Sequence, residues 1–266
     1  MRLGLIGPGR MGKRYLMRVN GGERIGAVYA RTVKAPVMVE PEVSPDYFLD
    51  LDHFFREELS GCIIATPPAS HRELAIRAIE AGIPVLVEKP LALNWEDCSA
   101  IIDAAENRGV PLLVGHIHLF HRAFEILHQK THTLTIRIGG PRGDHDYSAL
   151  FDWGSHAVAM ALQLADSRHP ISWKVWPDSH DTWDIALNYR DRHQVIQIGS
   201  ERVLSVEDGQ TVLYTGQEPA SQTPMANMVS VFQKLIEGGR DPRAELDFTR
   251  TVYGILCSVS GADKVN

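Results

Sequence analysis

The stretch L-G-L-I-G-P-G-R-M-G, residues 3–12 of the 266-residue chain, decides the fold. Its first four residues predict a short buried strand, and its end opens a helical pattern that continues to residue 19. Between them the glycines have G-x-G-x-x-G spacing, which lets the backbone approach a pyrophosphate at a helix N-terminus. Because a strand precedes the turn and a helix follows it, the segment predicts a dinucleotide site. The candidate cofactor residues are Gly7, Gly9, Arg10, Met11 and Gly12.

Strands and helices alternate through the first 115 residues. Such alternation predicts a parallel sheet covered on both faces, the Rossmann arrangement of an α/β protein. Beyond residue 120, apolar and polar residues alternate with a period of two at 133–138 and 183–189, which predicts a mostly antiparallel sheet with one open face. We therefore expect an NAD(P)-binding domain at 1–118 and a C-terminal α+β domain at 119–266. The expected further strands are 24–30, 61–66, 84–88, 111–115, 193–206 and 211–215, and the expected C-terminal helices are 151–165, 225–237 and 245–260.

Composition limits the classes of partner. The formal net charge of −6 argues against a nucleic-acid surface, which needs a basic face. No apolar run approaches the roughly 20 residues of a membrane span, and the N-terminus has no signal-peptide pattern. The three cysteines lack metal spacing and are typical of buried thiols. A cytoplasmic protein with a small-molecule ligand is the expectation.

The end of the second strand bears on the choice of dinucleotide. NAD-binding proteins usually have an acid there for the ribose 2′-hydroxyl, whereas this chain has Ala30-Arg31-Thr32-Val33-Lys34. Arg31 and Lys34 could pair with a 2′-phosphate, and Thr32 could donate a hydrogen bond to it. The segment favours NADP over NAD, although a solvated basic loop would have the same composition.

Two further turns follow buried strands. Thr66 and Pro67 end one strand, and Glu88 and Lys89 end another, so both turns belong at the carboxyl edge of the sheet, where doubly wound folds bind ligands. An amine beside a nicotinamide can donate a hydrogen bond to a substrate oxygen. The alternatives are a turn that only ends a strand and a lysine in an ordinary salt bridge.

With these residues quoted, the chain resembles the Gfo/Idh/MocA oxidoreductases, the family of glucose–fructose oxidoreductase and inositol dehydrogenase. The resemblance implies that Lys89 and His156 are catalytic with Asp152 beside them, and that Thr66, Pro67, His71 and Glu88 border the cofactor. It also implies a sugar, cyclitol or related polyol as substrate, and a homodimer or homotetramer formed through the C-terminal sheet. The matching motifs are residues 7–12, Ala65-Thr66-Pro67, His71, Glu88-Lys89-Pro90-Leu91, Val114-Gly115-His116, Leu119-Phe120-His121 and Asp152-x-Gly154-x-His156.

Asp152 and His156 are four residues apart in a predicted helix, so both project from one face and the carboxylate could orient the imidazole. Without the resemblance, a capping acid and a partly buried histidine would be the simpler interpretation. His118 and His121, together with Trp153, are candidates for the substrate pocket. Strand spacing would put His116 and His118 on one face as metal ligands, but no nearby carboxylate or cysteine completes a set, and we expect no metal.

The chain departs from the family pattern in its second half. The segment between residues 127 and 152 is short, and Ala157 and Ala159 stand where relatives often have an acid. These departures leave the substrate open. An imine reductase, a redox-neutral lyase or hydrolase that recycles NAD, and a non-catalytic dinucleotide-binding sensor remain alternatives to a dehydrogenase.

Overall fold

A computed structural model describes residues 1–18, 24–32, 45–121, 124, 127, 133–141, 145–165, 169–178, 181–215 and 223–258. The chain divides into two compact units. The first contains residues 1–92, 96–115 and 225–246, and the second contains 93–95, 116–224 and 247–266. The chain passes into the second unit three residues before the expected boundary at 118, and residues 225–246 return to the first unit.

The first unit is built on a six-stranded parallel sheet with the order β3-β2-β1-β4-β5-β6. Strands β1 and β4, at its centre, are almost entirely buried because helices cover both faces of such a sheet. This is the predicted α/β arrangement. The strands are β1 Arg2–Ile6, β2 Arg24–Tyr29, β3 Asp46–Phe48, β4 Gly61–Ile64, β5 Val85–Val87 and β6 Leu112–Val114.

The helices alternate with the strands of this sheet and then reappear near the end of the chain. In the third helix, the buried side chains of Leu74, Ala75, Ala78 and Ile79 form one apolar stripe. The helices are α1 Arg10–Arg18, α2 Leu51–Phe55, α3 His71–Glu80, α4 Trp95–Arg108, α5 Ser155–Leu164, α6 Pro224–Ile236 and α7 Leu246–Leu256. Of the helices within the described residues, none is long and apolar enough to cross a membrane.

The second unit contains a six-stranded sheet with the order β12-β11-β7-β10-β9-β8. Only β7 and β10 pair in parallel, and the other pairs are antiparallel, so the prediction of a mostly antiparallel sheet is confirmed. In β10, buried Gln194, Ile196 and Ile198 alternate with more exposed residues. The strands are β7 Thr133–Gly139, β8 Ser172–Pro177, β9 Trp183–Asn188, β10 His193–Gly199, β11 Val203–Asp208 and β12 Thr211–Tyr214.

The structure corrects several sequence predictions. The expected strand-rich stretch at 193–206 contains two strands, because the chain turns at 200–202 and β11 pairs with β7. Strands β3 and β8 were not predicted, since both are largely exposed and β3 has only three residues. The expected helix from 151 begins instead with a π-helical turn at Leu150–Gly154, and α5 follows it. Residues Ile117–Phe120 form a 3-10 turn, so His116 and His118 do not share the face of a strand.

Candidate functional site

The glycine turn after β1 fits a pyrophosphate for three separate reasons. Gly7 has a φ of +91°, which favours glycine, and its N–H donates to the Tyr29 carbonyl at 3.1 Å. A Cβ on Gly12 would lie 2.1 Å from the Gly7 oxygen, so the helix could not pack against the turn. A Cβ on Gly9 would meet nothing within 4 Å, and Gly9 has no positive φ. Neither packing nor backbone conformation explains glycine at position 9, whereas the close approach of a ligand does.

The other predicted residues of this turn lie at the start of α1. Arg10 is exposed and Met11 is half-buried. Beyond β2, Arg31 and Thr32 are exposed, and Lys34 lies outside the described residues. The exposed guanidinium and hydroxyl at the end of β2 are accessible to a ligand phosphate.

The turn after β4 is organised by the Ser70 hydroxyl. Ser70 Oγ lies 2.8 Å from Thr66 Oγ1 and 2.9 Å from the Pro67 carbonyl oxygen. The sequence Ser70-x-x-Glu73 suggests a capping box, but Ser70 makes no side-chain cap on α3, because its hydroxyl faces the preceding turn. Pro67 is exposed and Thr66 half-buried, so both remain beside the carboxyl end of β4.

His71 joins the turns after β4 and β5. Its ring is fully buried, Nε2 lies 2.8 Å from the Thr66 carbonyl oxygen, and Nδ1 lies 3.1 Å from that of Pro90 and 3.2 Å from that of Leu91. Burial lowers the pKa of His71, while its backbone hydrogen bonds oppose that shift. The ring of His71 therefore lies between the backbone carbonyls of the two turns and can donate its N–H to one of them.

Glu88 and Lys89 follow β5 directly. Glu88 is buried, and its Oε1 accepts a hydrogen bond of 2.6 Å from the Tyr15 hydroxyl on α1. Burial raises the pKa of Glu88, and the Tyr15 hydrogen bond and the Lys89 charge oppose the shift. Lys89 is half-buried at the carboxyl end of β5, and its peptide bond to Pro90 is cis.

The second unit contains the other predicted catalytic residues. Asp152 is buried in the π-helical turn, and its Oδ2 lies 3.0 Å from His145 Nε2. The His145 ring in turn stacks on Tyr147, with centroids 3.8 Å apart and planes 6° apart. His145 was not predicted from the sequence, because it lies in no motif and in no regular element.

His156 lies in a cluster of aromatic rings at the start of α5. His118 meets it edge-on at a centroid distance of 4.7 Å, and His116 does so at 5.8 Å. His118 also stacks on His121 at 5.5 Å, and Tyr253 of α7 lies 6.0 Å from His116. The structure thus brings together three histidines from the turn after β6 with His156.

The remaining pocket candidates have structural contacts of their own. His121 is buried with its ring 5.7 Å from that of Tyr214, and Trp153 is half-buried against Gly140, where a Cβ would lie 2.6 Å from Trp153 Cζ2. Within the described parts of the chain, no group of three or more His, Cys, Asp or Glu side chains could hold a metal ion.

A carboxylate outside every motif supports the segment that contains Asp152 and His156. Asp181, with a φ of 65°, accepts from the Ala149 N–H at 3.0 Å and 3.2 Å through its two carboxylate oxygens. Trp183 Nε1 donates to the same side chain at 3.3 Å. Because an aspartate cap is defined by geometry across 32 residues, the sequence contained no signal for it.

The N-terminal part of the chain matches the model of a known family. Residues 1–116 match the model of the Gfo/Idh/MocA oxidoreductase family, described as an NAD-binding Rossmann fold. This match covers both strand-end turns and the glycine turn.

Three curated relatives show the range of named activities. The chain is 30% identical over 129 residues to UDP-N-acetylglucosamine 3-dehydrogenase of Acidithiobacillus ferrooxidans, covering 48% of this chain and 41% of that protein. It is 33% identical over 121 residues to 2,7-anhydro-N-acetylneuraminate hydratase of Mediterraneibacter gnavus, covering 44% and 32%. It is 25% identical over 235 residues to inositol 2-dehydrogenase/D-chiro-inositol 3-dehydrogenase of Halalkalibacterium halodurans, covering 82% and 64%. The matches span less than two-thirds of the length of each relative.

Solved structures share the fold over nearly the whole chain. The crystal structure of the Acidithiobacillus ferrooxidans UDP-N-acetylglucosamine 3-dehydrogenase has a TM-score of 0.81 at 19% identity, covering 98% of this chain and 97% of that one. GenD2 from gentamicin A biosynthesis, solved in complex with NAD, has a TM-score of 0.76 at 18% identity, covering 96% and 92%. The glycine turn and the strand order agree with these matches: residues 1–116, which are less than half of the chain, are similar to the Gfo/Idh/MocA oxidoreductase family, described as an NAD-binding Rossmann fold.

Proposed function

We propose that this protein is an NAD(P)-dependent oxidoreductase that acts on a hydroxyl or carbonyl carbon of a sugar, cyclitol or related polyol. The observation on which the proposal rests is the space at Gly9, next to a helix N-terminus in a family described as NAD-binding. The names of the relatives, which include a nucleotide-sugar dehydrogenase and inositol dehydrogenases, support the substrate class.

The nicotinamide, when bound, accepts or supplies the hydride. The chain's own residues then have separate tasks. The N–H groups at the start of α1 hold the pyrophosphate, since the first N–H groups of a helix have no acceptor within it and lie at the positive end of the helix dipole. Lys89, at the carboxyl end of β5, donates a hydrogen bond to the reacting substrate oxygen.

His156 is the proposed general base for the substrate hydroxyl, and Asp152 supports it from the preceding turn. The pairing of Asp152 with His145 extends this set to a third side chain. In the reductive direction, His156 returns the proton to the substrate.

The direct test is a panel of sugars, cyclitols and nucleotide-sugars, each assayed for NADPH or NADH formation by fluorescence. Lys89→Ala and His156→Ala should retain dinucleotide binding and lose about a hundredfold or more in turnover, as expected for the loss of an acid–base group. Glu58→Ala, at an exposed loop position, serves as the matched control. Full turnover by both active-site variants would refute the assignment.

We further propose that NADP is preferred to NAD. The support is the exposed guanidinium of Arg31 at the end of β2, which suits a 2′-phosphate, and the lack of an acid in residues 30–32. Arg31→Ala should weaken NADPH binding about tenfold and change NADH binding little, because one charge-assisted hydrogen bond is lost. Fluorescence titration measures both, with Arg56→Ala, also exposed, as the control. Equal losses for NADPH and NADH would contradict a 2′-phosphate contact.

A second candidate function is a redox-neutral reaction in which the dinucleotide is recycled. The observation that favours it is the 33% identity to a protein named a hydratase. Cofactor that remains bound through purification, with product formation but no net NADPH, would support this candidate. Protein that is free of cofactor and reduces added NADP with a polyol would exclude it.

We propose that the chain forms a homodimer or homotetramer through the sheet of the second unit. Trp173 of β8 is 43% exposed and Val212 of β12 is 54% exposed, so apolar side chains face outward on both edge strands. Sedimentation should give two or four chains, and Trp173→Lys together with Val212→Lys should lower that number.

A further inference from the structure

A buried hydrogen bond links the helix of the glycine turn to the residue beside Lys89. Tyr15 of α1 donates to Glu88 Oε1 at 2.6 Å across 73 residues of sequence. The Tyr15 side chain is 0% exposed and Glu88 is 6% exposed, so the bond lies inside the first unit.

The surroundings of Glu88 leave its carboxyl little freedom. A Cβ on Gly115 would lie 3.3 Å from the Cα, Cδ and Oε1 atoms of Glu88, so glycine at that position allows β6 to approach the carboxyl. The Glu88 N–H donates to the Ile64 carbonyl at 2.9 Å, and the Gly115 N–H donates to that of Val87 at 2.8 Å. The carboxyl is therefore held by α1 and lies close to Gly115, while the backbone of Glu88 is held by the end of β4.

Packing alone does not explain the hydroxyl of Tyr15. A buried phenyl ring would fill the same space beneath α1, whereas a buried carboxyl without a donor is costly. Burial raises the pKa of both groups, because the charged form of each is disfavoured away from water. The pairing thus exists to satisfy Glu88, and Glu88 is adjacent to Lys89.

We propose that Tyr15 and Glu88 form a positioning pair, which ties the segment containing Lys89 to the helix that receives the pyrophosphate. On this proposal Glu88 positions the neighbouring Lys89 by accepting the hydrogen bond from Tyr15. It does not touch the dinucleotide, in contrast to its expected role as a cofactor-binding residue. The inference rests on the proposed function for its purpose, but its geometry stands within the first unit alone.

The test follows the placement of the Lys89 amine in protein without added cofactor. An amine-acylating reagent is applied, and mass spectrometry gives the labelling rate of Lys89 divided by that of exposed Lys234 in the same unit. Tyr15→Phe and Glu88→Ala should each change this ratio at least about threefold. Glu88→Gln, which keeps an acceptor oxygen for the Tyr15 hydroxyl, should leave it near the wild-type value. Tyr47→Phe, at a half-exposed tyrosine of the same sheet, is the matched control.

A double variant separates a positioning pair from two independent effects. Glu88→Ala combined with Tyr15→Phe should change the ratio no more than either substitution alone, because both break one contact. A role in stability alone would lower the melting temperature and leave the ratio unchanged, and that result would overturn the proposal.

Titration with NADPH distinguishes a positioning role of Glu88 from direct contact with the cofactor. If Glu88→Gln weakens NADPH binding about tenfold while Tyr15→Phe does not, Glu88 is a direct cofactor ligand and the proposed positioning role is wrong. If wild-type protein binds neither NADPH nor NADH, the proposed function fails, and the labelling ratio still decides the pair.

Discussion

Gly9 and Gly12 belong to one motif, but a side chain at each position would meet different surroundings. At Gly12 the protein itself leaves no room for a side chain, since an added Cβ would lie 2.1 Å from the Gly7 oxygen. At Gly9 the space is open on the protein side. The motif therefore combines a packing requirement with a ligand requirement, which sequence alone cannot separate.

This difference predicts opposite behaviour of two alanine variants. Gly12→Ala should lower the melting temperature strongly, because backbone atoms must move to admit the methyl group. Gly9→Ala should melt within about 2 °C of the wild type, since surface changes are usually within about 0.5 kcal/mol, but should bind NADPH at least about tenfold more weakly. Thermal melting and fluorescence titration on the two variants check this. Tight binding by Gly9→Ala would mean that the open space is not the pyrophosphate site.

The titration of Glu88 gives a pH prediction. Burial raises the pKa of this carboxyl above its ordinary value of 4.5. Such a group stabilises the fold fully below pH 4.5, and the contribution is lost as the pH rises through the folded-state pKa. The stability of Glu88→Gln relative to wild type should therefore increase between pH 4.5 and pH 7.5.

Urea unfolding at several pH values measures that difference. Glu58→Gln, which changes an exposed carboxylate, should show a difference that is nearly constant with pH. A Glu88→Gln difference that falls as the pH rises would contradict the sign.

At the scale of elements, the π-helical turn at Leu150–Gly154 and α5 depend on a cap from a distant turn. Asp181 supplies that cap to the Ala149 N–H, and it does so from a left-handed backbone conformation with a φ of 65°. Aspartate and asparagine tolerate this conformation better than other residues with a Cβ. Aspartate therefore suits position 181 because it tolerates the left-handed backbone conformation and because its carboxylate caps the helix.

Three substitutions at this position should rank in order of stability. Asp181→Asn retains an acceptor and the tolerated conformation, so it should be nearest to wild type. Asp181→Gly loses the cap, and Asp181→Ala loses the cap and adds backbone strain, so alanine should cost the most, about 2–3 kcal/mol. Midpoints of urea unfolding give the ranking, and alanine equal to asparagine would show that the cap does not matter.

At the scale of the molecule, the first unit is completed by a helix from late in the chain. Residues 225–246 belong to that unit, and they include most of α6. Phe232 is fully buried there, with its ring 3.1 Å from an ideal Cβ on Gly61 at the start of β4. The first unit is therefore completed by sequence more than a hundred residues beyond the predicted boundary.

Truncating this contact should destabilise the first unit. Phe232→Ala should cost about 3–5 kcal/mol through lost burial and a cavity. NADPH binding should then be lost at lower urea than in the wild type. Ser230→Ala, on the exposed face of the same helix, should have almost no effect. Binding that survives to the wild-type urea concentration would mean that α6 is dispensable for the first unit.

The sequence by itself determined the parallel sheet, its covering helices and the glycine turn, because these depend on apolar periodicity and on residue types at fixed local spacing. The same local information indicated Lys89 at a strand end and a mostly antiparallel second sheet. Only the tertiary structure decided the partners of the buried polar groups: Tyr15 for Glu88, His145 for Asp152, and backbone carbonyls for His71. It also decided that α6 belongs to the first unit. The physical reason is that a hydrogen bond or a packing contact between segments far apart in sequence leaves no periodic pattern in either of them.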